Sequence, residues 1–247
     1  MPRYFLEVSY KGDNYSGFQV QENAITIQSE IEKAFKIFFR KHLTLTGSSR
    51  TDAGVHALQN FFHFDWEEEF QQKSIYNINS ILPSDIVVKS VRLVKAEAHS
   101  RFSAVSREYK YFISFNKNPF MNDRAWLFPY QVNEELLHQA AAFIKENENF
   151  MSFSKQHTQV KTFHCQIEKS IWTRHEDSYI YTVKANRFLR GMVRALVSTM
   201  LQVARENISI QEFRTLLEGK IKASADFSAP AKGLFLTSVS FKEDIFL

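Results

Sequence analysis

Residues 43–65 read LTLTGSSRTDAGVHALQNFFHFD. Leu43-Thr44-Leu45 is apolar and β-prone, and so is Phe61-Phe62-His63-Phe64. Between them Gly47, Ser48, Ser49, Thr51, Ala53 and Gly54 form a run of small residues, which allows tight turning and close approach to another molecule. Asp52 is the one carboxylate in the loop, with Arg50 two residues before it and His56 four after. The pattern predicts a strand over 43–46, a loop, and a strand over 58–65, so the acid sits on a loop carried by a rigid frame. Thr-Asp-Ala-Gly also fits an ordinary turn, with Asp bonding its own backbone, so the loop alone does not establish a chemistry.

Working outward, residues 4–10 alternate as a strand and end in the turn Lys11-Gly12-Asp13-Asn14. Ile27, Ile31, Ala34, Phe35 and Phe38 recur at helical spacing within a helix over 26–40. A second helix is expected over 67–82, stopped by Pro83, and a Val-rich strand over 86–94. The order then repeats: strand 108–115, helix 133–146, strands 166–174 and 179–185, helix 188–205, and strand 234–241, with an extra short helix over 210–218. The expected fold is α+β, with two tandem ferredoxin-like or RRM-like halves, 1–100 and 101–247. No Pro-rich, Gly/Ser-rich or low-complexity linker separates them. The halves are therefore expected to share an extended, mostly antiparallel sheet with a cleft between them.

With 44% hydrophobic and 23% charged residues in 247, the chain reads as a globular protein with ample core, not a disordered one. Its 24 Phe are first of all core material. A net charge of +4 and a pI near 9.0 are compatible with a nucleic-acid partner without requiring one. A single cysteine, Cys165, permits no intrachain disulfide, which suits the cytoplasm. MPRYFLEVSY reads as a charged strand rather than a secretion signal, and no apolar run approaches the ~20 residues that cross a bilayer. The eight His show no metal-ligand spacing, and phosphate-cradling Gly loops and GxSxG are absent. No metal and no cofactor are expected.

Two constellations point to RNA. From Arg101-Phe102-Ser103 to Tyr109-Lys110-Tyr111 aromatic and basic residues alternate, the pairing that stacks on bases and holds phosphates. Along the helix expected near 186–205, Leu189, Met192, Val193, Leu196, Met200 and Val203 share one face. Arg187, Arg190, Arg194, Ser198 and Arg205 share the other. Arg187 and Arg190 are expected in its first turn, where cations oppose the helix dipole, and this favours a functional strip over a merely solvated one.

Five islands, RTDAGVHA (50–57), YKGDNYSGFQVQ (10–21), HSRFSAVSREYKY (99–111), NRFLRGMVR (186–194) and KGLFL (232–236), resemble the tRNA pseudouridine synthase A family in its own order. The resemblance implies isomerisation of uridine to pseudouridine at positions 38–40 of the tRNA anticodon stem-loop, with Asp52 on the family's catalytic aspartate. It implies that Arg194 pairs with that aspartate, that Arg50 assists it, and that Tyr109 contacts the target uracil. Arg101, Arg187 and Arg190 are the other expected RNA contacts. The family acts as a homodimer, so the expected partners are tRNA and a second copy, with no DNA and no membrane. Ser49 stands where the family usually has Gly, Phe18 where Trp is usual, Val20 where a basic residue is common, and Ser198 where a helix Gly is found. Two rival readings are a non-catalytic RNA-binding protein with two RRM-like halves and an aspartate-dependent hydrolase.

Overall fold

Thr26 opens the first helix with a reciprocal cap: its side chain accepts from Ser29 N–H, and the Ser29 hydroxyl accepts from Thr26 N–H. Arg40 closes it at φ 56, its N–H donating to the Lys36 carbonyl at 2.9 Å. The computed structural model describes residues 1–155, 160, 162–219 and 225–247. In chain order the elements are β1 (Arg3–Tyr10), α1 (Ile27–Phe39), β2 (Thr46–Gly47), β3 (His56–Asp65), α2 (Ser74–Ile81), β4 (Ile86–Val94), β5 (Ala104–Ser114), β6 (Trp126–Leu127), α3 (Glu134–Glu146), β7 (Ile167–His175), β8 (Ser178–Ala185), α4 (Met192–Ala204), α5 (Ile210–Leu217) and β9 (Leu234–Phe241). The fold is mixed α+β with mostly antiparallel strands, as expected. The chain divides into two compact units, Met1–Val105 with Phe235–Leu247, and Ser106–Leu234.

In the first unit β4, β1, β3 and β2 lie side by side, all antiparallel, and β9 runs parallel to β3 through His56↔Phe235 and Ala57↔Leu236. The reading along the chain put this last strand in the C-terminal half; its partner here is β3. Alternation explains the aromatic content. Phe64 meets Phe35 of α1 at 5.8 Å between ring centres, while Phe5 and Phe61 turn the other way against Phe241, at 4.9 and 5.1 Å. Both faces of β1 and β3 are thus covered, which is why Tyr4, Phe5 and Leu6 are buried in succession. Each such ring contributes about 1.5–3 kcal/mol by leaving water.

Two expected elements are shorter here. The strand over 43–46 shrinks to β2, because the Leu45 backbone is bonded by helix side chains. Its N–H donates to Glu32 Oε1 at 2.9 Å, and its carbonyl accepts from Gln28 Nε2 at 2.8 Å. The helix over 67–82 shrinks to α2. Glu67, Glu68 and Glu69 are exposed in a row, and Gln72 donates from its amide to the Val91 carbonyl at 2.7 Å.

In the second unit β5, β8 and β7 form an antiparallel set, with Tyr111↔Tyr181 and Trp172↔Tyr181 in register. α4 is its central helix, and it corrects the expectation. It begins at Met192, not near 188, since Gly191 sits at φ 74 and Met192 N–H turns back to the Leu189 carbonyl at 3.1 Å. Arg187 and Arg190 therefore precede the helix. Nor has it a solvated side: Ala195, Val197, Ser198 and Thr199 are as buried as Leu196 and Met200. Ser198 is accommodated because its hydroxyl donates to the Arg194 carbonyl one turn back, at 2.8 Å.

Candidate active site

The Asp52 loop is held by buried polar groups on β1 and β3. Asn60, fully buried, donates from its amide to the Ser49 carbonyl at 2.8 Å and to the Tyr10 hydroxyl at 3.1 Å. The Tyr10 hydroxyl lies 2.8 Å from Thr51 Oγ1, and Phe18 N–H donates to the Thr51 carbonyl at 3.1 Å. Thr51 is thereby pinned through both side chain and backbone, and it separates exposed Arg50 from half-buried Asp52. Val55 N–H donates to the Asp52 carbonyl at 3.2 Å, closing the turn after the acid. A carboxylate held on so fixed a base is preorganised. The hydroxyls of Ser48 and Ser49 are buried without a hydrogen-bond partner among the described residues, costing roughly 1–3 kcal/mol each.

A second turn braces the first. Gly54 N–H donates to the Gly12 carbonyl at 3.2 Å, and Gly12 N–H donates to His56 Nδ1 at 3.2 Å. His56 is buried, stacked on Phe235 at 4.5 Å, with Nε2 3.8 Å from Asp13 Oδ1. Since Nδ1 accepts, the ring's proton is on Nε2, facing Asp13. His56 is thus a brace for the loop. The turn is itself tied down by Asp85, which accepts from the Tyr15 hydroxyl and from Asn14 Nδ2. Asp85, Asn60 and the bracing role of His56 were not foreseen, although His56 lies within the island 50–57 and the turn it braces within 10–21.

Beside the loop is a cleft of about 300 Å³, bordered by Arg50, Phe18, Gln19, Thr46, Arg101 and Phe102. Arg50 makes no hydrogen bond or ion pair among the described residues, and Phe102 is 76% exposed. Under Phe102 lie His99, 4.4 Å away between ring centres, and then His63, a further 4.5 Å. Burial, with His99 and Arg3 adding repulsion, pushes the His63 imidazole down to about 4. Burial and then Arg3 lower His99 as well. Both rings are therefore neutral at pH 7. A histidine depressed when folded adds stability above its unfolded value of about 6.5, and that stability is lost as the pH falls towards 4. The wild type is expected to lose up to about 3 kcal/mol through this ring over that window, beyond what His63→Gln loses. Urea midpoints of the two proteins that run parallel from pH 7 to pH 4 would refute it.

Tyr109, Arg187, Arg190 and Arg194 belong to the second unit. Tyr109 is buried on β5 with its ring edge-on to Phe188 at 5.0 Å. Tyr111, two residues on and on the same face, is a core residue whose hydroxyl donates to the Pro230 carbonyl at 2.7 Å. Arg187 and Arg190 are carried by the segment 186–191, whose ends are fastened. Asn186 exchanges bonds with the Gln166 backbone at 3.0 and 3.2 Å, and its carbonyl accepts from buried Arg107 at 2.9 Å. The Arg190 carbonyl accepts from Lys155 N–H at 3.0 Å. Arg190 is exposed and Arg187 half-buried. Arg194, in the first turn of α4, is half-buried and donates from Nε to the Ala229 carbonyl at 2.6 Å, which aims its guanidinium. Arg107 is a supporting residue that sequence reasoning missed, though it lies within the island 99–111.

Among the described residues no group of three or more His, Cys, Asp or Glu side chains could hold a metal ion, and no helix is long and apolar enough to cross a membrane.

The profile of a family described as tRNA pseudouridine synthase matches residues 147–242. The tRNA pseudouridine synthase A of Azobacteroides pseudotrichonymphae is 42% identical over 247 residues, covering 100% of this chain and 99% of the relative. That of Parabacteroides distasonis is 41% identical over 248 residues, covering 100% and 98%. The Staphylococcus aureus protein of the same name is 32% identical over 245 residues, covering 98% and 92%. Identity of this depth along the whole length, and not only at the loop, shows that the chain belongs to the tRNA pseudouridine synthase A family.

Proposed function

We propose that this protein isomerises uridine to pseudouridine in tRNA, at positions 38–40 of the anticodon stem-loop, with Asp52 as the acting carboxylate. The observation that carries this is the clamped RTDAG loop, in a chain of the same family from end to end. The reaction breaks the N1–C1′ bond, turns the uracil in place, and joins C5 to C1′, the C5 proton leaving and N1 taking one up. It involves no redox change and transfers no group to a third molecule, so side chains suffice. The site must supply a carboxylate as nucleophile or base, a place for the extruded base, and cations for the RNA backbone.

Asp52 fills the first role. Tyr109 stacks on the uracil, its ring held edge-on by Phe188. Arg50, from the acid's own loop, and Arg194 are the cations proposed to assist Asp52. Arg101, Arg187 and Arg190 meet phosphates. The two units are proposed as tandem ferredoxin-like halves; the strand order β4–β1–β3–β2 of the first supports this. A cytoplasmic homodimer is part of the same proposal.

The test is tritium release from 5-tritiated uridine in unmodified tRNA, with analysis of the product nucleosides. Release matched by pseudouridine is expected. tRNA bound without release would make the protein a binder, and free uracil would make it a hydrolase. Arg194→Ala is expected to lower single-turnover rates on the order of 10²-fold, and Arg194→Lys less, because the charge stays while the forked geometry is lost. Rates within twofold of wild type for Arg194→Ala would remove it from the chemistry.

A further inference from the structure

The cleft beside Arg50 is not bordered by Asp52, although the two residues are neighbours but one. It presents three chemistries together. Arg50 and Arg101 are guanidiniums at its rim, and Arg50 has no protein partner among the described residues. Gln19 is an exposed amide with no hydrogen bond among the described residues. Phe102 is an aromatic ring 76% exposed.

Leaving a large ring in water costs free energy, and this one is not loose. Ser103 N–H donates to the His99 carbonyl at 2.9 Å, and His99 N–H donates to Ser103 Oγ at 3.0 Å. The Arg101 and Phe102 N–H groups both donate to His99 Nδ1, at 3.1 and 3.4 Å. Four bonds thus fix the turn that holds Phe102 outward. Half-buried His99 and buried His63 continue behind it as a series of neutral rings. An exposed ring fixed in advance is suited to a planar partner, since little ordering remains to be done on binding.

Guanidiniums take phosphate in two-pronged contacts, an exposed ring takes a base face, and an amide reads a base edge. The volume, about 300 Å³, lies at the small end of ligand pockets and suits one nucleotide rather than a duplex. We infer that this cleft is a subsite for one unpaired nucleotide of the tRNA, next in the strand to the uridine that reacts, with its base on Phe102 and its phosphate on Arg50 and Arg101. The inference rests on the tRNA reading above. It assigns a second base-binding place to the Asp52 loop, set apart from the reacting base.

The test is a coupling experiment with the full-length protein and an anticodon stem-loop RNA. Dissociation constants are measured for wild type, Phe102→Tyr and Phe102→Ala against the intact RNA and a series with one base removed at each loop position in turn. Phe102→Ala is expected to weaken binding about 5- to 150-fold, the range of base-on-ring stacking, and Phe102→Tyr to match wild type. At one loop position, removing the base should weaken wild type by the same factor and add nothing in Phe102→Ala. Wild-type affinity in Phe102→Ala, or losses that multiply at every position, would overturn the subsite. Isomerisation is scored separately. Turnover by wild type without any Phe102–base coupling removes the subsite alone. Coupling without turnover removes the proposed reaction alone.

Discussion

Asp52→Asn is expected to abolish pseudouridine formation while the folded protein still binds tRNA. The change keeps the shape of the side chain and removes its charge. The bonds that set the loop are made by the Ser49 carbonyl, by Thr51 and by the Asp52 backbone, all of which survive the substitution. Loss of an acting group costs on the order of 10⁴-fold or more in turnover, and that scale is expected here. Single-turnover rates and a tRNA binding isotherm on the same preparation separate chemistry from affinity. Turnover within tenfold of wild type would place the chemistry on another residue.

The largest effect on stability is expected from Gly12→Ala. A Cβ at Gly12 would run into the Val55 carbonyl oxygen and stand 2.8 and 2.9 Å from the Val55 carbonyl carbon and nitrogen. Those are backbone atoms on a braced turn, so neither side can yield cheaply. The Gly12 carbonyl also receives Gly54 N–H, and its N–H feeds His56, so displacing it unfastens the loop that carries Asp52. A loss of about 3 kcal/mol or more is expected, a large share of the 5–15 kcal/mol that holds a typical domain. Urea unfolding measures it, and an unchanged midpoint would mean that the two turns are not in contact in solution. Turnover should fall with it, because the acid moves with its turn.

Both results concern a part of the molecule that the sequence revealed unevenly. Strands were legible where apolar residues recur against a sheet: β4 and β9 fall on 86–94 and 234–241 as the alternation predicts. Helices were legible where a cap coincides with a periodic stripe, as at Thr26 and Asn133. The reading failed where backbone groups take partners that periodicity does not encode. Leu45 is bonded by Gln28 and Glu32 rather than by a strand. Leu189 continues the apolar stripe of α4, yet Gly191 at φ 74 cuts it off from the helix. Ser198 resembles a surface residue in the sequence and is buried, because a short hydroxyl can bond its own helix.

The candidate site was legible by residue type more than by support, and the roles of those residues remain proposals. The carboxylate, the arginines and Tyr109 stand out as residue types in unusual company. Asn60, Arg107 and His56 do not, because what each does depends on a backbone group that is distant in the chain and close in space. Arg107 meets Asn186, 79 residues away, and Gly12 meets His56 across 44.

The parallel pairing of β9 with β3 has a consequence for synthesis. Residues 3–94 leave the ribosome first and contain the Asp52 loop, but the strand that flanks the loop's exit, at Phe235 and Leu236, is translated only after the whole of Ser106–Leu234. The second unit can therefore complete itself while the first still lacks an edge. With chain growth at roughly 5–20 residues per second, β3 waits several seconds or more with that edge unpaired. During that interval the nascent first unit exposes unbonded backbone beside His56, the position where a holding chaperone would have most to protect.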